Sequence, residues 1–310
     1  MKALISGATG LIGRSFLTKY SKEFEEVITL GRSQIDNFKN IEMDISDPCL
    51  DELPHIDVFF HFAAQTSSNA ARENPRSDAI SNITAFLVVL EKLRKMNKKI
   101  IVIAASTSTQ KGFTDNIDSI PEGDDPICFY DLSKLTAERY LKLYCKNKFV
   151  RGVSLRLSNV YGNLSNYGNP DRGIIDKVVS NALKGNDVIV WGSGEYYRDY
   201  IFIEDVIDAF FIAYKEINIT NGKHYEIGTN VPVKIINAFK LIISLVNNQK
   251  IYPKLVIQDD AKFDSLMDQR SFVANDVFCQ ETSWSPKVSL EEGLKKIISH
   301  SNISSQNEPK

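Results

Sequence analysis

The sequence predicts an α/β fold, a doubly wound parallel sheet with a smaller, partly interleaved C-terminal lobe. Three observations carry this expectation. Short apolar runs alternate with amphipathic stretches through the first half, several runs are apolar on both faces, and the regularity fades after about residue 160. Continuous apolar runs fit parallel strands covered on both sides, and strand–helix alternation winds such a sheet.

Residues 2–6, 27–30, 41–45, 58–62 and 99–105 read as strands, and residues 11–24, 74–97 and 128–148 as helices between them. In the second helix, Ile80, Ile83, Leu87, Leu90 and Leu93 fall on one stripe at helical spacing. Residues 163–172, rich in Asn, Gly and Ser, read as a loop before a helix over 173–184. Strands at 188–191, 200–203 and 225–227 then mix with helices at 205–216, 233–247 and 290–299. The expected division is a first domain over 1–160 with returning segments near 200–228, and a second lobe over 161–300. The polar tail 301–310 is expected to be disordered.

Charge narrows the function classes. Thirty-seven basic and 39 acidic side chains give a net charge of -2, which offers no footprint for nucleic acid or an anionic membrane. No stretch of about 18 apolar residues is present. Cys49, Cys128, Cys145 and Cys279 stand far apart and form no CxxC pair, so no metal site is expected. A reduced, cytoplasmic protein acting on a small anionic ligand is the expectation.

Gly7, Gly10 and Gly13, with Leu11 and Ile12 between the last two, follow the first strand and open the first helix. Glycines there permit a tight turn, close approach of backbone N–H groups to a pyrophosphate, and close helix–strand packing. In this strand–turn–helix context they make the sheet Rossmann-type and the ligand a dinucleotide. An acid about 20 residues on would accept bonds from the NAD ribose, but Gly31-Arg32-Ser33 stands there. Arg32 suits a 2′-phosphate, so NADP is favoured, with NAD as the alternative. Asp44, at the end of the third expected strand beside Ile45, is placed to bond an adenine amino group.

Tyr130 and Lys134 stand at i and i+4, on one face of a helix. A free phenol transfers protons poorly at neutral pH, and a nearby ammonium should favour its ionised form. The pattern is cheap, and Tyr144 with Lys148 repeats it on the same helix. The run Ser106-Thr107-Ser108-Thr109 sets hydroxyls at the carboxyl edge of the sheet, where ligands bind. Tyr130, near the start of its helix, can face that edge. Tyr144 lies about 21 Å further along.

These residues resemble the extended short-chain dehydrogenase/reductases, the nucleotide-sugar epimerase/dehydratase group. The resemblance runs from Lys2 to about Ser299 and includes His61-Phe62-Ala63-Ala64, Asn82, and Arg156-Leu-Ser-Asn159-Val-Tyr-Gly162. It continues through Gly192 to Asp205 and the closing segment Trp284 to Gly293. It implies that Phe62, Ala63 and Ala64 line the nicotinamide side and that Asn82 supports the cofactor strand. It further implies that Thr107, with Ser108 beside it, bonds the substrate oxygen, and that Asn159, Arg198 and Arg270 hold a nucleotide diphosphate. A homodimer is also expected. Lys111-Gly112 replaces the group's Tyr-Gly, and Ser108 and Thr109 replace the Asp-Glu pair of the sugar 4,6-dehydratases.

Dehydration is therefore disfavoured, since eliminating water needs a further acid and base. Two reactions stay open on the same residues. Reduction of a 4-keto-sugar by NADPH, with Tyr130 as proton donor, leads on the strength of Arg32. 4-Epimerisation with bound NAD is the alternative. A non-catalytic NADP-binding sensor is the lesser one, opposed by the complete set of Thr107, Tyr130 and Lys134.

Overall fold

A computed structural model describes residues 1–45, 53–96, 99–112, 123–162, 173–258 and 273–306, with side chains to Ser301. Seven parallel strands form the central sheet. They are β1 (Lys2–Ser6), β2 (Glu26–Gly31), β3 (Lys39–Glu42), β4 (Val58–His61), β5 (Ile101–Thr107), β6 (Arg151–Leu157) and β11 (His224–Ile227). Their order, β11-β6-β5-β4-β1-β2-β3, reverses direction at β1, the doubly wound arrangement with a switch point beside β4. The register pairs Ala3 with Val58 and Val27, and Phe60 with Ile103, so apolar side chains line up across the sheet.

Alternation within single strands fills both faces. In β4, Val58 and Phe60 join one core cluster and Phe59 the other. On the first face Phe16 of α1 (Leu11–Tyr20) meets Phe60 at 4.5 Å, and α7 (Ile203–Lys215) adds Phe210. On the second face α4 (Ala85–Lys95) and α5 (Phe129–Lys146) contribute Phe86, Val89, Leu90, Leu93, Ala137 and Leu141. The first cluster runs on into the C-terminal lobe. It takes in Val178 of α6 (Ile174–Leu183), Val190 of β8 (Val188–Trp191), and Phe239 and Ile242 of α9 (Ile235–Asn247). Short strand pairs complete that lobe: β7 (Asn159–Tyr161) with β10 (Tyr200–Phe202), β9 (Tyr197–Arg198) with β12 (Val233–Lys234), and β8 with β13 (Leu255–Gln258). The closing segment is tied down where Trp284 Nε1 donates to the Asp205 carbonyl at 2.9 Å and Asp205 accepts from Lys287 N and Val288 N.

Several expectations need correcting. The third strand ends at Glu42 rather than residue 45, because its partner β2 ends at Gly31, opposite Glu42. Asp44 and Ile45 therefore lie beyond the strand. The helix expected over 74–97 is interrupted. A separate helix, Ser68–Glu73, precedes Pro75–Ala79, and the run passes through a π-helical turn, Ile80–Thr84, before α4. Strand β6 was not anticipated, although Val153 and Leu155 alternate with Ser154 and Arg156 in it; the polar Arg156 masked a buried strand. The segment 301–310 was expected to be disordered, yet the last helix runs from Leu290 to Gln306, with no Gly or Pro between Ser301 and Gln306 to stop it; residues 307–310 lie outside the described residues. The expected loop 163–172 and Arg270 lie outside the described residues.

Candidate active site

The turn after β1 gives each glycine a separate task. Gly7 has φ +70, and a Cβ there would lie 2.4 Å from Ala63 N and 2.5 Å from the Phe62 carbonyl carbon. A side chain at Gly13 would lie 2.4 Å from the Gly7 carbonyl oxygen, so its absence lets α1 sit against the turn. Gly10 is the N-cap of α1, with no side-chain cap and no acid in the first turn. The first backbone N–H groups of α1 thus meet the requirements of a pyrophosphate site. Leu11 and Ile12 pack partly buried against the core behind it.

A pocket of about 90 Å³ beside this turn is lined by Gly7, Ala8, Thr9, Thr29, Leu30, Gly31, Arg32 and Ser33. No carboxylate is among them. Arg32 is exposed at its rim, Asp44 is exposed, and Ile45 is half-buried against the second core cluster. Across the switch point Phe62, Ala63 and Ala64 are half-buried after β4, with Phe62 edge-on to Phe210. The donor set fits a dinucleotide laid across the carboxyl ends of β1, β2 and β4.

Asn82, buried in the π-helical turn, holds the segment after β4. Its Oδ1 accepts from Gln65 N and its Nδ2 donates to the Gln65 carbonyl, both at 3.0 Å. It also donates to buried Asp78, whose other oxygen accepts from Ser133 Oγ at 2.6 Å. This network clamps the helix carrying Asn82 to α5, one residue from Lys134. Nothing in the sequence pattern marked Asp78 or Ser133 for that task.

Tyr130, half-buried as a residue, is the second residue of α5, and its hydroxyl, which is shielded from solvent, bonds Thr107, the last residue of β5. Thr107 Oγ1 lies 2.8 Å from Thr109 Oγ1 and accepts from Thr109 N at 3.3 Å. Thr109 Oγ1 in turn donates to Asp131, which is fully buried. The expectation that Lys134 would lower the phenol's pKa is not met in this structure. Burial and the neighbouring Asp131 raise it, against a lowering by Thr107. Lys134 itself is buried. Burial pushes its ammonium down to about 8 against the opposing pull of Glu138 and Asp78. The second tyrosine behaves differently. Tyr144 donates to Glu91 of α4, on the helical layer away from the sheet edge.

In the C-terminal lobe Asn159 is half-buried in β7, its N–H bonded to the Asp199 carbonyl. Arg198 is half-buried in β9 and donates to the Tyr197 carbonyl at 2.9 Å. Its neighbour Asp199 was missed by sequence reasoning. This fully buried carboxylate accepts from Thr229 N, Thr229 Oγ1, Asn230 N and Ala274 N, drawing three chain segments together. Ser108 is buried in the 3₁₀ turn Ser108–Lys111. Lys111 pairs with buried Glu226 of β11. Beside it Arg156 is held by Glu138 and Asp124, with contacts from 2.6 to 3.0 Å, and Gln110 donates to Glu138. Burial opposes the charge of Arg156, but these carboxylates outweigh it and raise its pKa. Removing one partner of such a group would strand a buried charge.

Comparison with known proteins places this geometry. The sequence pattern of the family described as NAD dependent epimerase/dehydratase matches residues 3–228. A UDP-glucose 4-epimerase of Mycolicibacterium smegmatis is 26% identical over 321 residues, covering 96% of this chain and 97% of that protein. A human dTDP-D-glucose 4,6-dehydratase is 23% identical, covering 96% and 89%. Among solved structures, the UDP-glucose 4-epimerase of Thermotoga maritima with UDP-glucose superposes with a TM-score of 0.85 at 27% identity, covering 98% of this chain and all of that one.

Proposed function

The chain belongs to the NAD dependent epimerase/dehydratase family, and on that premise we propose that it is an NAD-dependent 4-epimerase of a nucleotide-diphosphate sugar. One observation carries this reading: the Tyr130–Thr107 hydrogen bond at the carboxyl edge of the sheet, with hydroxyls and no carboxylate at positions 108 and 109. That set can move a proton to and from one sugar oxygen but lacks the extra acid and base that eliminating water requires. The full-length likeness to UDP-glucose 4-epimerases supports it.

When bound, the dinucleotide supplies hydride acceptance and return. The chain's own residues do the rest. The turn from Gly7 to Gly13 holds the pyrophosphate, Ala63 and Ala64 border the nicotinamide, and Lys134 holds the adjoining ribose. Thr107 bonds the substrate oxygen while Tyr130 takes and returns its proton. An epimerase must keep its dinucleotide through both half-reactions, so protein purified without added cofactor should carry NAD near one equivalent, read by release and enzymatic assay. Protein that emerges empty yet oxidises NADPH with a nucleotide 4-keto-sugar would contradict the reading.

That second reading, reduction of a 4-keto-sugar by NADPH, is favoured by Arg32 at the rim of an adenosine pocket without a carboxylate. If Arg32 bonds a 2′-phosphate, Arg32→Ala should weaken NADPH binding by about 1–3 kcal/mol and leave NADH unaffected. Equal losses by calorimetry would exclude the contact.

Substrate affinity must come from local cations, because the net charge of -2 attracts no anion. Asn159, Arg198 and, from its sequence position, Arg270 are assigned to the nucleotide and diphosphate. Losing one member of a desolvated charge pair costs about 2–5 kcal/mol. Arg198→Ala should therefore raise the dissociation constant of UDP at least tenfold while dinucleotide binding holds. Unchanged UDP affinity would move the diphosphate elsewhere.

A homodimer completes the proposal. Phe129, Leu132, Tyr140 and Leu143 of α5 are 49%, 50%, 39% and 53% exposed at helical spacing, an apolar stripe suited to an isologous contact with a second copy. Leu143→Glu should convert dimer to monomer in sedimentation.

A further inference from the structure

Two buried carboxylates stand near the ammonium of Lys134 without pairing with it. Lys134 is 5% exposed, and among the described residues no hydrogen bond or ion pair engages its Nζ. Burial pushes it down to about 8, and Glu138 and Asp78 pull in the opposite direction. Tyr130 and Glu138 lie one turn to either side of it on α5, and Asp78 acts on it from the helix Pro75–Ala79. His61 meets its charge from the end of β4. Burial and Lys134 push that imidazole down to about 3, so it adds no charge of its own at neutral pH.

The two carboxylates differ in what they bond. Glu138 accepts from the Arg156 guanidinium at 2.6 and 3.0 Å and from Gln110 Nε2 at 2.9 Å, so a cation already balances it. Asp78 is 1% exposed and its partners are neutral. Its Oδ1 accepts from Asn82 Nδ2 at 2.9 Å and Gln65 Nε2 at 3.0 Å, and its Oδ2 from Ser133 Oγ at 2.6 Å. A buried charge is costly without a countercharge, and Lys134, next to Ser133 on α5, supplies one. Three donors occupy the oxygens of Asp78, so it acts on Lys134 through its field. The three N–H groups of the ammonium are left for a ligand.

We propose that Asp78 is a positioning residue for the catalytic pair, a buried countercharge that keeps Lys134 in its ammonium form while leaving its donors to the ribose of the dinucleotide. For its kinetic consequence the proposal rests on the epimerase reading. Tyr130 must be ionised to take the sugar's proton, and Lys134 must be charged to favour that ionisation and bond the ribose. Turnover therefore rises with pH as the phenol loses its proton and falls as the lysine does. The Asp78 carboxylate stabilises the ammonium and, after burial and Asp131, opposes the phenolate. Removing its charge should move both limbs of the pH profile the same way, to lower pH. The same carboxylate ties Gln65, beyond the nicotinamide border, to α5 through Asn82 and Ser133, so charge and clamp must be separated.

Asp78→Asn makes that separation. Its carboxamide oxygen still accepts from Asn82 and Gln65, and its amide group can donate to Ser133 Oγ. Both limbs of the kcat profile for a nucleotide sugar should move to lower pH by roughly 0.5–1 unit, less than for a contacting pair, with NAD content unchanged. Asp78→Glu should return the limbs to their wild-type positions. Ser133→Ala, which loosens the clamp and keeps the charge, should melt lower with both limbs in place. A purely structural role would lower NAD content and melting temperature in Asp78→Asn and leave its limbs fixed. A second readout needs no turnover. In ¹³C-lysine-labelled protein, the Lys134 NMR signal, identified by its loss in Lys134→Met, should titrate at lower pH in Asp78→Asn. It should do so too in Asp78→Ser, a neutral variant with a smaller side chain. Wild-type lysine midpoints in both neutral variants would overturn the countercharge and leave the epimerase reading standing. Wild type inactive on every nucleotide sugar would overturn the epimerase reading alone, because the lysine midpoint decides the role of Asp78 without turnover.

Discussion

Tyr130→Phe should lower turnover by roughly 10²–10⁴, the range lost when a positioned acid–base group is removed. Dinucleotide binding should persist. The substitution keeps the ring and removes only the hydroxyl bonded to Thr107 at the end of β5. Tyr144→Phe is the matched control on the same helix. Its hydroxyl bonds Glu91 of α4, so the cost should be about 0.5–1.5 kcal/mol of stability with turnover within twofold. Steady-state kinetics and thermal melts on the two variants separate the roles. Equal losses of turnover would remove Tyr130 from the chemistry.

Gly7→Ala should abolish dinucleotide retention and lower the melting temperature by several degrees. The backbone at Gly7 has φ +70, which costs a side-chain-bearing residue about 1–2 kcal/mol, and the new methyl would stand 2.4 Å from the backbone nitrogen of Ala63. Backbone cannot yield as a flexible side chain does, so the turn must shift away from β4 and move the N–H groups proposed to hold the pyrophosphate. Gly123→Ala, in open space without a positive φ, should melt like wild type. A Gly7→Ala protein that retains its dinucleotide would show that the turn is not the pyrophosphate site.

The parallel sheet was legible because its strands are apolar on both faces, and the glycine turn because its place between strand and helix is as telling as its spacing. The proximity of Tyr130 and Thr107 followed from two elements ending at one sheet edge. Other features carried no local signal. Asp78, Asp131, Glu138 and Asp199 are all buried acids, and a single sequence does not separate a buried acid from a solvated one. Their partners are distant in sequence, 55 residues apart for Asp78 and Ser133 and 75 for Asp199 and Ala274. The pKa of Tyr130 failed as an expectation for the same reason. Helical spacing placed Lys134 near the phenol, but the opposing effects of burial and Asp131 emerge only when the site is assembled. Strand β6 was hidden by Arg156, whose charge reads as solvent-facing until Glu138 and Asp124 close around it.

The central claim is most directly tested by incubating the purified protein with UDP-glucose and no added cofactor, following the sugar by NMR. Interconversion at C4 to an equilibrium mixture of UDP-glucose and UDP-galactose, with no net change in absorbance at the reduced-nicotinamide band, is the predicted result. UDP-glucose that stays unchanged, alongside stoichiometric consumption of NADPH when a nucleotide 4-keto-sugar is supplied, would contradict it.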